Sequence, residues 1–218
     1  MARRTVQRPR KGGSLRRRTE SRAPKRTFLV FSEGTRTEPD YIEALRKESA
    51  VRDAASVEIQ IDLTAGGAVP LTLVNAAAEA RDRFSREQSE IDEVWCLFDV
   101  EWPRNHPNLR EAREKANARN VRLAISNPCF ELWLVLHFED RTAWLDSDAA
   151  RRLRCRYDGS SGKGLEGSKY MPRRTAAARH ARALEAKHMG DGTEFPDDNP
   201  SSGVYLLLEA ISPAGRTP

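Results

Sequence analysis

Three acidic residues stand where apolar, strand-forming runs stop. Glu33 follows Phe28-Leu29-Val30-Phe31-Ser32 and precedes Gly34, while Asp99 and Glu101 close the run 91–98. A carboxylate at the end of a buried strand is costly to place unless a metal or substrate uses it. In a parallel sheet every strand delivers its last residue to one edge, and ligands bind outside that edge. Ser126 and Asn127, after the run 121–125, would reach the same rim. Like charges gathered there repel, and a hard divalent cation such as Mg²⁺, which prefers oxygen ligands, resolves the conflict. Asp-x-Glu leaving a strand can turn both side chains the same way, because alternate residues share a face. Glu38 and Glu131 fall on the first turns of the helices after the first and fourth strands, from where they could point into the rim. Either would equally suit a helix N-terminus through the macrodipole. Ser126 and Asn127 could bind phosphate or orient a water; an Asn-Pro turn explains them as well.

The elements that must position these residues alternate. Residues 27–31, 57–63, 91–98 and 121–125 read as strands, the second by strict apolar–polar alternation. Residues 39–47, 70–86, 106–120 and 129–138 read as helices, with Thr37 as a cap and Pro39 in the first turn of the first. Strand–helix alternation predicts an α/β fold with a parallel four-stranded sheet and right-handed crossovers. Beyond 139 the pattern changes: a helix over 147–155, a glycine-rich loop over 158–164, a basic helix over 173–188, a polar turn-rich stretch, and an apolar helix or strand over 204–211. Three parts are expected: a basic arm (1–26), an α/β domain (27–140) and an extension packing on it (141–218).

With 39% hydrophobic and 32% charged residues the chain can build a core. No apolar run reaches the roughly 20 residues of a membrane span. The basic start lacks an apolar stretch after it, so it does not read as a secretory signal. Eleven of the 37 Lys/Arg fall in residues 1–26 against Glu20 alone, so residues 27–218 are net acidic although the chain is +5. Such an arm, with Arg16, Arg17 and Arg18 at its centre, suits counterion-releasing contact with nucleic acid; a solvated tail is the bland alternative. Cys96, Cys129 and Cys155 are odd in number and scattered, which argues for free thiols and a reducing cytoplasm. No Gly-x-x-x-x-Gly-Lys-Ser/Thr loop appears. His137 reads as a core histidine and Tyr41 as part of a packed helix face, leaving no tyrosine placed for covalent strand cleavage.

Three motifs carry a resemblance. They are Ser32-Glu33-Gly34-x-x-Thr37-Glu38-Pro39-x-Tyr41, Phe98-Asp99-x-Glu101, and Ile125-Ser126-Asn127-Pro128-Cys129-Phe130-Glu131-Leu132-Trp133 with its continuation to Phe138. Together they resemble the RloB-like family of bacterial restriction-linked and phage-defence proteins; the basic leader and Asn199-Pro200-Ser201-Ser202 also fit. More broadly, a strand-end Glu-Gly with a later strand-end Asp-x-Asp is the pattern of the Toprim fold of topoisomerases, primases and OLD-type nucleases. This chain departs from it with Asp99-Val100-Glu101. The resemblance implies a Toprim-like, Rossmann-type sheet holding one or two Mg²⁺ or Mn²⁺ ions and hydrolysing a phosphodiester of DNA or RNA, transfer RNA included, in abortive infection. It implies Glu33 as bridging ligand or general base, Asp99 and Glu101 as metal ligands, and Glu38 and Glu131 as further ligands. Gly34, Ser126, Asn127 and Lys163 would face phosphate, with Lys163 and Lys169 offered as cations for the transition state. It also implies an ABC/AAA-type ATPase partner. The competing class is a non-catalytic module that binds nucleic acid or an ATPase through a degenerate metal site.

Overall fold

The computed structural model describes residues 26–54, 58–62, 68–87, 91–160, 162 and 164–212. The arm up to residue 25, with Arg16, Arg17 and Arg18, and the expected phosphate-facing Lys163 lie outside the described residues. Runs rich in Phe, Val, Leu and Ile form β1 (Thr27–Ser32), β2 (Glu58–Asp62), β3 (Glu93–Asp99) and β4 (Arg122–Asn127). These four pair in parallel in the order β2-β1-β3-β4. A fifth strand, β5 (Ser201–Ser202), runs antiparallel beside the end of β4. The sheet is therefore mixed, and the expectation of a purely parallel four-stranded sheet is corrected. Two polar residues carry no periodicity, so nothing in the sequence marks β5 as a strand.

The helices are α1 (Thr37–Lys47), α2 (Ser49–Ala54), α3 (Pro70–Arg86), α4 (Leu109–Ala118), α5 (Phe130–Val135), α6 (Ser147–Asp158), α7 (Gly167–Tyr170), α8 (Arg174–Asp191) and α9 (Val204–Ile211). Strand alternation sorts the core into two layers. Phe28, Val30, Trp95 and Leu97 face one side, where Tyr41, Leu45, Trp133, Tyr170, Leu184 and Leu207 cover them. Leu29, Phe31, Val94, Cys96 and Phe98 face the other, under Leu73, Ala77, Leu109 and Ala112. The first layer joins residues from both sides of position 140, so the later helices share the core of the sheet.

This layering fixes where a site can form. The chain leaves β1 through α1 on one face to reach β2, then returns through α3 and α4 on the opposite face to β3 and β4. Right-handed crossovers require that change of face when the winding direction reverses. The reversal lies between β1 and β3, the topological switch point at which α/β sheets open a crevice. Glu33 and Asp99 stand at its two sides.

Local geometry departs from expectation in three places that matter. Thr37 does not cap α1: it is buried inside the first turn, and Arg36 takes the cap position without a side-chain cap hydrogen bond. Helix α4 starts at Leu109 instead of 106, because residues 100–108 form a loop in which Glu101 and Asn108 adopt φ of 64° and 62°. Helix α5 stops at Val135, after which the Phe138 N–H donates to the Val135 carbonyl, an i→i−3 bond that tightens the turn. No helix among the described residues is long and apolar enough to cross a membrane.

Candidate active site

Pairing of β1 with β3 runs one residue past the strand, with the Glu33 N–H donating to the Leu97 carbonyl at 3.0 Å. The Ser32 hydroxyl closes the turn on the Gly34 carbonyl at 2.8 Å. Glu33 then reaches across the switch point, where its Oε2 accepts the Asp99 N–H at 3.1 Å. Its Oε1 lies 2.6 Å from Nε2 of His106, an ion pair whenever that imidazole is protonated. Burial pushes the Glu33 carboxyl up. The Asp99 N–H and the His106 charge pull it down, and the charge of Glu101 raises it again.

Asp99 shares strand parity with Trp95 and Leu97 and so faces the layer of α1 and α5. Burial, then the charges of Glu38, Glu33 and Glu131, pushes its carboxyl well above the usual range; the Phe130 N–H opposes this. Glu38 is buried in the first turn of α1, and burial with the charges of Glu131 and Glu33 raises it to about 7. Four carboxylates expected at the rim thus sit close enough to repel one another. Among the described residues no Lys or Arg forms an ion pair with Glu38 or Asp99.

Gly34 makes room for this arrangement. A Cβ there would fall 1.9 Å from Oε2 of Glu38, so the carboxylate occupies the space that any side chain at 34 would need. Its backbone is not in the left-handed region; the requirement is one of volume.

Glu101 arrives differently from expectation. β3 ends at Asp99, and Glu101 is held in the left-handed region with its N–H donating to the Pro128 carbonyl at 2.8 Å. Strand alternation therefore does not aim it. Its Oε1 lies 3.6 Å from Arg151 on α6. Burial alone would lower the Arg151 guanidinium, but Cys129, Glu131, Glu101 and Asp148 hold it above its ordinary value. The loop after β3 is pinned to the start of α6: the backbone N–H and hydroxyl of Ser147 both donate to the Trp102 carbonyl, at 3.3 and 2.9 Å.

Other expected residues are occupied elsewhere. The Lys169 ammonium donates to the Asp158 carbonyl at 2.7 Å, at the end of α6, and pairs with Glu166 at 3.0 Å. The Ser126 hydroxyl meets that of Ser202 at 3.2 Å, and the Asn127 amide nitrogen donates to Pro196 O and Asp198 Oδ1. Ser126 and Asn127 hold the segment 196–202 against the end of β4. Tyr41 is fully buried, its hydroxyl 3.1 Å from Nε2 of His137, and burial pushes that phenol up. His137, pushed down to about 4 by burial, is a core histidine. Cys96, Cys129 and Cys155 are free thiols.

Two residues of the rim were not singled out from the sequence. His106 comes from a loop, and Arg151 comes from a helix 50 residues beyond Glu101; neither position carries a motif.

The donor set fits a hard divalent cation by its chemistry: four carboxylates, oxygen donors only, of which Glu33, Glu38 and Asp99 are raised chiefly by burial. Among the described residues no three Asp, Glu, His or Cys groups close around one point as a ready metal site.

The fold and site define an α/β protein with a cluster of acidic side chains at the β1/β3 switch point, beside His106 and Arg151. The chain belongs to the RloB-like protein family, whose model matches residues 28–211. No match was found among curated proteins or among solved structures.

Proposed function

We propose that the protein is a metal-dependent phosphodiesterase of the RloB-like type, acting on nucleic acid in anti-phage defence through a Toprim-like site. The observation that carries this reading is the crowding of Glu33, Glu38, Asp99 and Glu131 at the switch point, where among the described residues no Lys or Arg pairs with Glu38 or Asp99. Mutual repulsion of that kind is relieved by a cation. Glu33, Asp99, Glu38 and Glu131 would hold Mg²⁺ or Mn²⁺, with Glu101 at the margin. The bound ion would neutralise charge on the phosphate and lower the pKa of the attacking water.

The protein's own groups divide the remaining work. Glu33, fixed by the Asp99 N–H and beside His106, is placed to hold or accept a proton at Oε1. Arg151, poised over Glu101 and still about half exposed, is the cation that can meet transition-state charge on the phosphate, a role expected of Lys163 or Lys169. The basic arm supplies sequence-independent grip on the backbone. An ABC/AAA-type ATPase partner and a cytoplasmic setting belong to the same reading.

The test incubates the protein with DNA, total RNA and transfer RNA in Mg²⁺ or Mn²⁺, beside Glu33→Ala and Asp99→Ala. Cleavage by the wild type alone supports the reading. Intact substrates throughout, with and without an ATPase partner, refute it. A second reading, a non-catalytic nucleic-acid- or ATPase-binding module, is favoured by the absence of three converged donors among the described residues. Calorimetric titration with Mn²⁺ separates the two, since the module would bind no ion at Asp99.

A further inference from the structure

A second feature lies away from the acidic cluster: a cleft along the outer edge of β4. It measures about 840 Å³ between that edge, the end of α8, the segment 192–203 and α9. Among the described residues only Ser126 and Asn127 have a strand partner on this edge; the Gly203 N–H also donates to the Ile125 carbonyl at 2.7 Å, and the stretch from Arg122 to Ala124 has no strand partner there. Glu93, Glu185, Glu194 and Asp198 line the cleft against two arginines, Arg113 and Arg122, so its charge is net negative. Met189, 78% exposed, and Leu206, 40% exposed, stand on its rim.

The chain enters the described fold at this cleft. The Arg26 guanidinium donates to Glu93 Oε1 at 2.5 Å and to the Ala210 carbonyl at 3.0 Å, and both acceptors belong to cleft-lining residues. Residues 1–25 hold ten Arg/Lys against Glu20 and include Val6 and Leu15. Extended, 25 residues reach roughly 80 Å, more than enough to run the length of the cleft from Arg26. We propose that residues 1–25 dock in cis in this acidic cleft beside the open edge of β4, where basic side chains meet its carboxylates. Tethering at Arg26 sets the local concentration of the arm in the millimolar range, so an arm that binds the cleft with a Kd of about 0.1 mM is docked roughly nine-tenths of the time. The arm is then withdrawn from phosphate until nucleic acid competes for it. This does not depend on the crevice being catalytic.

The test uses the full chain, freed of nucleic acid, at low salt. Trypsin cleavage within residues 1–25 is followed by mass spectrometry against a synthetic peptide of the same residues. Docking predicts cleavage roughly tenfold slower than in the free peptide, the protection given by about ten docked arms for each free one. Glu185→Lys/Glu194→Lys, two exposed positions, should restore the free rate with an unchanged circular dichroism spectrum. Glu194→Lys alone, on a loop, should restore part of it even if the double variant misfolds. Cleavage of the wild type at the free-peptide rate overturns the proposal. So does protection that survives both variants, which would place the arm elsewhere, or protection that grows with protein concentration, which would place it on a second copy.

Discussion

The carboxylate of Glu33 accepts the backbone N–H of Asp99 at 3.1 Å, across 66 residues of sequence and the gap where the sheet reverses its winding. A side chain from β1 thus fixes the backbone of β3 at the point where β3 ends, and the two acids are set relative to one another by the sheet. Glu33→Gln keeps an acceptor for that N–H while removing the charge. It should leave the melting temperature within a few degrees and abolish metal-dependent cleavage; retention of cleavage would remove Glu33 from the mechanism.

The crowded acids predict an unusual pH dependence. Folded Glu38 keeps its proton to about 7, whereas an unfolded glutamate releases it near 4.5. Between those values the folded chain binds more protons, so stability is fullest below the unfolded value and falls as pH rises to about 7. Glu33 and Asp99 shift in the same direction. In chelator, the melting temperature should drop from pH 5 to pH 8, with Glu38 contributing up to about 3 kcal/mol. Glu38→Gln should flatten the slope, and Mn²⁺ should restore stability at pH 8. A wild type equally stable at both pH values in chelator would contradict this account.

Gly34→Ala separates the site from the scaffold. The new methyl would take the place of the Glu38 carboxylate, the far end of a flexible side chain, so the fold can adapt by turning that side chain away. Mn²⁺ affinity measured by calorimetry should fall roughly tenfold or more, while the melting temperature changes by a few degrees. Unchanged affinity would show that Glu38 takes no part in binding.

Arg151 is nearly half exposed, so Arg151→Ala should change stability by less than about 1 kcal/mol. Its effect on cleavage should be far larger, a fall of roughly 10²–10³ in kcat if it meets charge in the transition state. Single-turnover kinetics on the preferred substrate reads this. Equal rates would leave Arg151 as a surface partner of Glu101.

A purely structural prediction concerns the loop after α6. Arg154 and Asp158 are each 3% exposed and pair at 2.8 Å; Arg154 also donates to the Gly162 and Gly164 carbonyls, and Tyr170 to Asp158. Arg154→Ala would leave a buried carboxylate without its counter-charge and two carbonyls without that donor, and should destabilise by about 3 kcal/mol in urea unfolding, the Tyr170 and Ser160 bonds to Asp158 remaining. Asp158, which its bonds to Ser160, Tyr170 and Arg154 hold below the usual range against the raising effect of burial, adds stability lost only at acidic pH.

How much of this was legible in the sequence follows from what each residue depends on. Glu33 and Asp99 could be read because a strand end is marked by its own apolar run, and α3 spans 70–86 as its alanine face and Pro70 indicate. Glu101 reached the rim by a left-handed turn that no strand parity foretells. His106 and Arg151 were invisible because loop geometry and the packing of α6 bring them in, and neither leaves a local pattern. The partner of Lys169 was illegible for a related reason: a lysine near a glycine-rich loop says nothing about which carbonyl it will meet, here that of Asp158. β5 and its Ser202–Ser126 contact depend on a return from 76 residues away.

The shared apolar layer has a practical outcome for anyone seeking a minimal active fragment. Phe28, Val30 and Leu97 are covered in part by Tyr170, Leu184 and Leu207, and the loop holding Glu101 is moored to Ser147. A piece cut at 140 would carry every acid of the cluster yet expose to water the part of that layer which Tyr170, Leu184 and Leu207 cover. Silence from such a fragment would report its collapse or aggregation and say nothing about the chemistry.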